Sequence, residues 1–220
     1  MTPMTAIPLR REVYYPESDN TPMGETEIHV RESLYLLEAF DWLLRDVRDV
    51  YVAANMFFYY VQDDPRGVVA PDVFVAKGVP RGERRTYKLW EEGQVPCLIV
   101  EVTSDSSRDD DVVKKKALYQ QLGVEEYIVH DPLKEYLEPP LQGFRLVNGR
   151  YRPIPLESDG AVRSQSIGVI FRMEGNGLRL VDTMTGETIL PSQEVRHAQR
   201  AAEDEIARLR AELDRFRGQG

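Results

Sequence analysis

The run Leu98-Ile-Val-Glu-Val102 is apolar at every position but Glu101. A carboxylate placed inside such a run is costly unless it is paired, protonated or bound to a cation. The nearest acid in the expected topology is Asp72, at the start of Pro71-Asp-Val-Phe-Val-Ala76, and adjacent strands could bring the two side chains to one sheet edge. Two converging carboxylates without His or Cys companions suit a hard, oxygen-seeking cation, Mg²⁺ or Mn²⁺. A lysine would complete a site for phosphate chemistry by neutralising charge, and Lys114, Lys115 and Lys116 follow. Spacing selects Lys115. Asp111, Lys115 and Tyr119 recur every fourth residue and share one helical face, while Lys114 and Lys116 point about 100° to either side. A solvated lysine cluster of electrostatic value only is the other reading.

The remaining polar candidates carry less. Glu27, Glu32 and Glu38 fall on the first expected helix, where solvent-facing ion pairs account for them. His29 sits on a mixed helix face, His130 beside Asp131 at a strand end that could be surface, and His197 in the tail; three scattered histidines do not make a zinc site. Arg81, Arg84, Arg85 and Lys88, with Tyr87 and Trp90 between them, form the one basic patch with interleaved aromatics. They could track a nucleic-acid backbone, or belong to a loop packing its aromatics on the sheet. No Gly-rich phosphate loop and no nucleophilic serine elbow is present.

The elements that must position these groups can be read from periodicity. Residues 1–24 are proline-punctuated and aperiodic, an extended arm. From 25 to 46, Ile28, Leu34, Leu37, Phe40, Leu43 and Leu44 recur at helical spacing. A strand over 50–61 ends at the turn cluster 63–67, and a second strand covers 71–76. The strand over 96–103 has the continuous apolar pattern of a sheet centre covered on both faces. A loop at 104–108 precedes a helix over 109–122 with acids first, lysines beyond and a Gly123 stop. A strand over 126–131 follows, then a hairpin around Asn148-Gly149 and further short strands to about 190. This order gives an α/β fold with a mixed central sheet flanked by helices, in which a helix links the strands at 96–103 and 126–131. From about 192, Ala202, Ile206, Leu209, Leu213 and Phe216 form a short heptad seam. It fits a coiled-coil homodimer or a solvated helix packing on its own domain.

The chain has 220 residues, 42% of them hydrophobic, and a net charge of −9. That suffices for a packed core and argues against a wholly disordered chain. It also argues against a protein that grips nucleic acid by a general basic coat. The tail from 191 carries equal numbers of arginines and carboxylates, so the surplus belongs to residues 1–190. Cys97, the single cysteine, lies in an apolar run and reads as a buried structural thiol. No window reaches the roughly 18 apolar residues of a membrane span and no signal peptide opens the chain, so a cytoplasmic protein is expected.

Pro71-Asp72, Glu101-Val-Thr103, the stretch Ser104 to Asp111, Lys115, Tyr119 and Gly123-Val-Glu-Glu-Tyr-Ile-Val-His-Asp131 resemble the PD-(D/E)XK nuclease superfamily. Within it they are most similar to a bacterial restriction-endonuclease-like family of undetermined physiological role, over roughly residues 25–190. The resemblance implies a restriction-endonuclease-like core with extra β-hairpins and DNA as the partner. It also implies Mg²⁺-dependent phosphodiester hydrolysis leaving a 5′ phosphate. Asp72 and Glu101 would be metal ligands, and Lys115 would position or activate the water, its own pKa lowered by the cation. Related nucleases sometimes add a metal-binding glutamate from the first helix and often carry a histidine near His29, which places Glu27 and His29 beside Thr103, Asp111 and Tyr119 as supporting residues. Thr103 stands where the superfamily's lysine is usual. A nuclease-derived binding or regulatory module that has lost catalysis, and a dimeric scaffold built on the C-terminal helix, are the alternatives.

Overall fold

The computed structural model describes residues 13–18, 26–104, 107–175 and 177–217. Helix α1 spans Glu27–Leu43 and starts at Thr26, whose hydroxyl accepts the His29 amide at 3.3 Å. Then come strands β1 (Val50–Ala54), β2 (Phe58–Tyr59), β3 (Val68–Val69), β4 (Val73–Lys77) and β5 (Tyr87–Lys88), the short helix α2 (Leu89–Glu92) and strand β6 (Leu98–Val102). A π-helical turn over Asp110–Lys115 leads directly into α3 (Lys116–Leu122), which Gly123 terminates at a φ of 90°. Strands β7 (Glu126–His130), β8 (Leu141–Val147), β9 (Arg150–Pro153), β10 (Val162–Ser164), β11 (Val169–Glu174), β12 (Gly177–Asp182) and β13 (Thr188–Ile189) follow, and helix α4 runs over Ser192–Arg217.

The central sheet has the order β1-β4-β6-β7-β8-β9. Only β6 and β7 pair in parallel, joined through α3, and the other neighbours are antiparallel. This is the mixed α/β sheet read from the sequence, with its one helical crossover. One face packs on α1 and on the sheet β10-β11-β12-β13, through Leu36, Phe40, Val73, Val100, Ile128 and Phe171. The other packs on α3 and the small sheet β3-β2-β5, through Phe58, Phe74, Tyr87, Ile99, Tyr119 and Tyr127. All five residues of β6 and of β7 are therefore buried. The β8–β9 hairpin turns at Asn148 and Gly149, both at positive φ, the two-residue turn whose twist matches the strands.

Three local expectations change. The strand expected over 50–61 is two strands in different sheets, divided at Asn55, whose φ is 49°. There the Asn55 amide donates to the carbonyls of both Pro71 and Asp72 at 3.1 Å, so the break also fixes the approach to β4. On α1 the buried stripe is made of His29, Ser33, Tyr35, Leu36, Ala39 and Phe40; of the predicted set Phe40 is buried, as is Leu44 just beyond the helix, while Leu34 is 52% exposed. The stripe is rotated because its N-terminal end faces polar groups at the sheet edge. His130, expected near the surface, is fully buried because β7 lies inside the sheet and α1 covers its end. Of the predicted N-terminal arm only residues 13–18 are described, and Tyr15 there packs on Tyr59 and Trp90.

Candidate active site

The register Val73↔Val100 between β4 and β6 sets Asp72 opposite Glu101, at the end of the antiparallel pair. The Asp72 amide donates to Glu101 Oε2 at 3.2 Å, and the Val102 amide donates to Asp72 Oδ2 at 2.7 Å. From α1, His29 Nε2 lies 3.1 Å from the same Asp72 oxygen. From the crossover, Lys115 Nζ donates to Glu101 Oε2 at 2.9 Å and lies 3.0 Å from Asp111 Oδ1. The Tyr119 hydroxyl donates to Glu101 Oε1 at 2.7 Å. The face containing Asp111, Lys115 and Tyr119 thus meets Glu101, whereas Lys114 is exposed and pairs with Asp110, and Lys116 lies over the Phe144 ring.

Burial decides the charges. Glu101 is completely buried, Asp72 and Asp111 nearly so, and the Lys115 side chain is 22% exposed. Burial, with Asp72 and Asp111 nearby, pushes the Glu101 carboxyl up to about 8 against the pull of Lys115. For Asp72, burial is outweighed by the His29 hydrogen bond, Lys115 and the Val102 amide, which hold the carboxyl below its ordinary range. Burial alone would lower the Lys115 amine, yet Glu101, Asp111 and Asp72 hold it above its ordinary value. Tyr119 is pushed well up by burial and by Glu101, so it stays a donor.

The other sequence candidates lie as follows. Thr103 is buried, and its hydroxyl has no hydrogen-bond partner among the described residues. Glu27 is exposed and pairs with Arg31, and Glu38 accepts from the Ser192 hydroxyl. Glu32 accepts the Leu178 amide at 2.9 Å and stands 3.7 Å from His130 Nε2. Asp131 organises the turn after β7, accepting the amides of Leu133, Lys134, Tyr136 and Leu137. His197 is exposed on α4. In the basic segment, Arg81 binds the Leu44 carbonyl and Asp41, and Arg84 forms a two-pronged pair with Glu92 over the Tyr51 ring. Arg85 pairs with Glu17 and Lys88 with Glu91, while Tyr87 is fully buried. Sequence reasoning missed the two main-chain amides, Asp72 and Val102, that clasp the acids. Strand pairing could have supplied them, since Asp72 lies one residue and Val102 two residues beyond the antiparallel register of β4 and β6.

The donors are oxygens, and among the described residues no group of three or more His, Cys, Asp and Glu is arranged as a metal cage. Two carboxylates are what Mg²⁺ typically takes from a protein, its other positions being filled by water and substrate phosphate. The Asp111 oxygens are buried and have only the Lys115 ion pair, so three carboxyl groups share one ammonium, and a divalent cation would let all three ionise together. The residues fit such an ion.

Residues 17–174 match the family Uma2, described as "Putative restriction endonuclease". Among solved structures, one described as a putative nuclease from Anabaena variabilis is 15% identical, with a TM-score of 0.49, covering 65% of this chain and 75% of that one. No curated protein matches the chain.

Proposed function

Because the chain belongs to the Uma2 family of restriction-endonuclease-like proteins, we propose that it is a metal-dependent endonuclease hydrolysing phosphodiester bonds in DNA. The observation that carries this reading is the meeting at Glu101 Oε2 of the Asp72 backbone amide, 3.2 Å away, and the Lys115 ammonium, 2.9 Å away, where β4 and β6 end their pairing. Asp72 and Glu101 would hold one or two Mg²⁺ ions, or Mn²⁺. Such an ion stabilises charge on the scissile phosphate and lowers the pKa of an attacking water.

The protein's own residues have separable tasks. His29 and the Val102 amide orient Asp72 and keep it ionised. Tyr119 donates to Glu101 Oε1 and so aims Oε2 at the Lys115 side. Lys115, held between Glu101 and Asp111, orients or helps activate the attacking water and neutralises charge on the phosphate. Asp111 holds the ammonium in place from one turn earlier. The expected product is a strand break bearing a 5′ phosphate.

The test is cleavage of plasmid and linear DNA by the full chain with Mg²⁺ or Mn²⁺, compared with Asp72→Asn and Glu101→Gln. Cleavage lost in both variants, with unchanged circular dichroism, supports the reading; equal cleavage by all three proteins overturns it. A second reading, a nuclease-fold binding or regulatory module, is favoured by one observation: the position of the usual lysine holds Thr103, whose buried hydroxyl binds nothing among the described residues. A wild-type chain that retains DNA without cutting it decides for that alternative.

A further inference from the structure

We propose that α4 is a docking surface for a second copy of this chain, forming a parallel two-stranded coiled coil. The proposal does not depend on the nuclease reading. The helix is joined to the domain at its start, where Ser192 binds Glu38 and Glu194 pairs with Arg179 at 2.6 Å. From Gln193 onward every described side chain is exposed. Val195, Ile206, Leu209 and Leu213 are each about half exposed, which leaves an apolar stripe in water along the whole helix. Helices bury such stripes, and this one follows the 3.5-residue period that pairs two helices.

The sequence of α4 selects the partner and its direction. With Ile206 and Leu213 at a, the d positions are Val195, Ala202, Leu209 and Phe216, and the a residues before Ile206 are Ser192 and Gln199. Among parallel coils, a β-branched a residue followed by Leu at d, as in Ile206 and Leu209, favours two strands. The g positions are then Glu205 and Glu212, and the e positions five residues on are Arg210 and Arg217. In a parallel pair, g of one helix meets that following e of the other, so Glu205 faces Arg210 and Glu212 faces Arg217, twice over by symmetry. An antiparallel pair instead sets g against g and e against e, placing Glu opposite Glu. Glu205 and Arg208 pair at 2.7 Å within the helix, an exposed contact of small worth that can exchange for the interchain one. Parallel pairing would carry both domains at the same end of the seam.

Sedimentation equilibrium of the full chain should give twice the chain mass, and Leu209→Asp with Leu213→Asp should return it to one. Glu205→Arg with Glu212→Arg should also give monomers, and so should Arg210→Glu with Arg217→Glu. Mixing those two double variants should restore the dimer. Direction is read by Gln199→Cys, which should crosslink between chains under mild oxidation, since Cys97 is buried and its thiol is pushed up to about 11. A monomeric wild type, a dimer indifferent to the Leu209 and Leu213 changes, or a dimer in which Gln199→Cys fails to crosslink overturns the proposal.

Discussion

The backbone amide of Asp72 is a ligand of the Glu101 side chain, and the residue after Glu101 returns a bond to Asp72: 3.2 Å in one direction, 2.7 Å in the other. Each acid is thereby held by the strand that carries its partner. Their placement opposite one another follows from the pairing of β4 with β6.

The first prediction concerns replacement at Glu101. Without added metal at pH 7 its carboxyl, pushed up to about 8, is largely neutral, and glutamine imitates a neutral acid. Glu101→Gln should therefore change urea-unfolding stability in EDTA by less than about 1 kcal/mol. Calorimetric Mn²⁺ binding should disappear in the same variant. A loss of several kcal/mol in EDTA would show that the ionised form stabilises the fold.

Removing Lys115 has the opposite character. Lys115→Met leaves Glu101 and Asp111 buried with no cation, at a cost of about 2–4 kcal/mol near pH 8. The penalty should shrink as pH falls below about 8 toward pH 5, because the Glu101 carboxyl takes up its proton there. Unfolding midpoints at the two pH values decide this, and a penalty independent of pH contradicts it.

His130 should make the protein acid-labile. Burial pushes its imidazole down to about 4, so between about 6.5 and 4 the unfolded chain binds a proton that the folded one does not. Stability from this group is present above about pH 6.5 and is lost as pH falls, by up to about 3 kcal/mol. Glu32, raised by burial, works against this, because its folded form takes a proton more readily as pH falls. His130→Leu should flatten the acid limb of a stability-against-pH curve, and Glu32→Gln should steepen it.

Gly143, in β8, lies where the central sheet meets β10. A Cβ there would stand 2.5 Å from Val162 Cγ1 and 3.1 Å from Ile128 Cδ1 and Ile154 Cδ1. Gly143→Ala should cost about 1–3 kcal/mol, seen as a lower thermal midpoint. Gly149→Ala, with open space but a φ of 75°, should cost about 1 kcal/mol through the backbone alone.

Much of this was legible because single residues broke strong patterns. Glu101 interrupts an apolar run, Asp111, Lys115 and Tyr119 keep a helical interval, and Asn148-Gly149 marks a hairpin. What escaped is what depends on partners distant in sequence. The buried stripe of α1 carries His29 and Ser33 because Asp72 and the sheet edge lie beneath it, which no hydrophobic period encodes. His130 reads as a strand-end residue until α1 is placed over it. The π turn over Asp110–Lys115 has the composition of an ordinary helix start, and the four-residue interval survived it because Lys115 continues directly into α3.

The two acids are moored to opposite sides of the sandwich: Asp72 to His29 on α1, and Glu101 to Lys115 and Tyr119 around α3. Peeling either layer from the sheet would disarm one acid and leave the other seated. The candidate site is therefore a two-key lock on the folded state, assembled only when both layers are closed on the sheet.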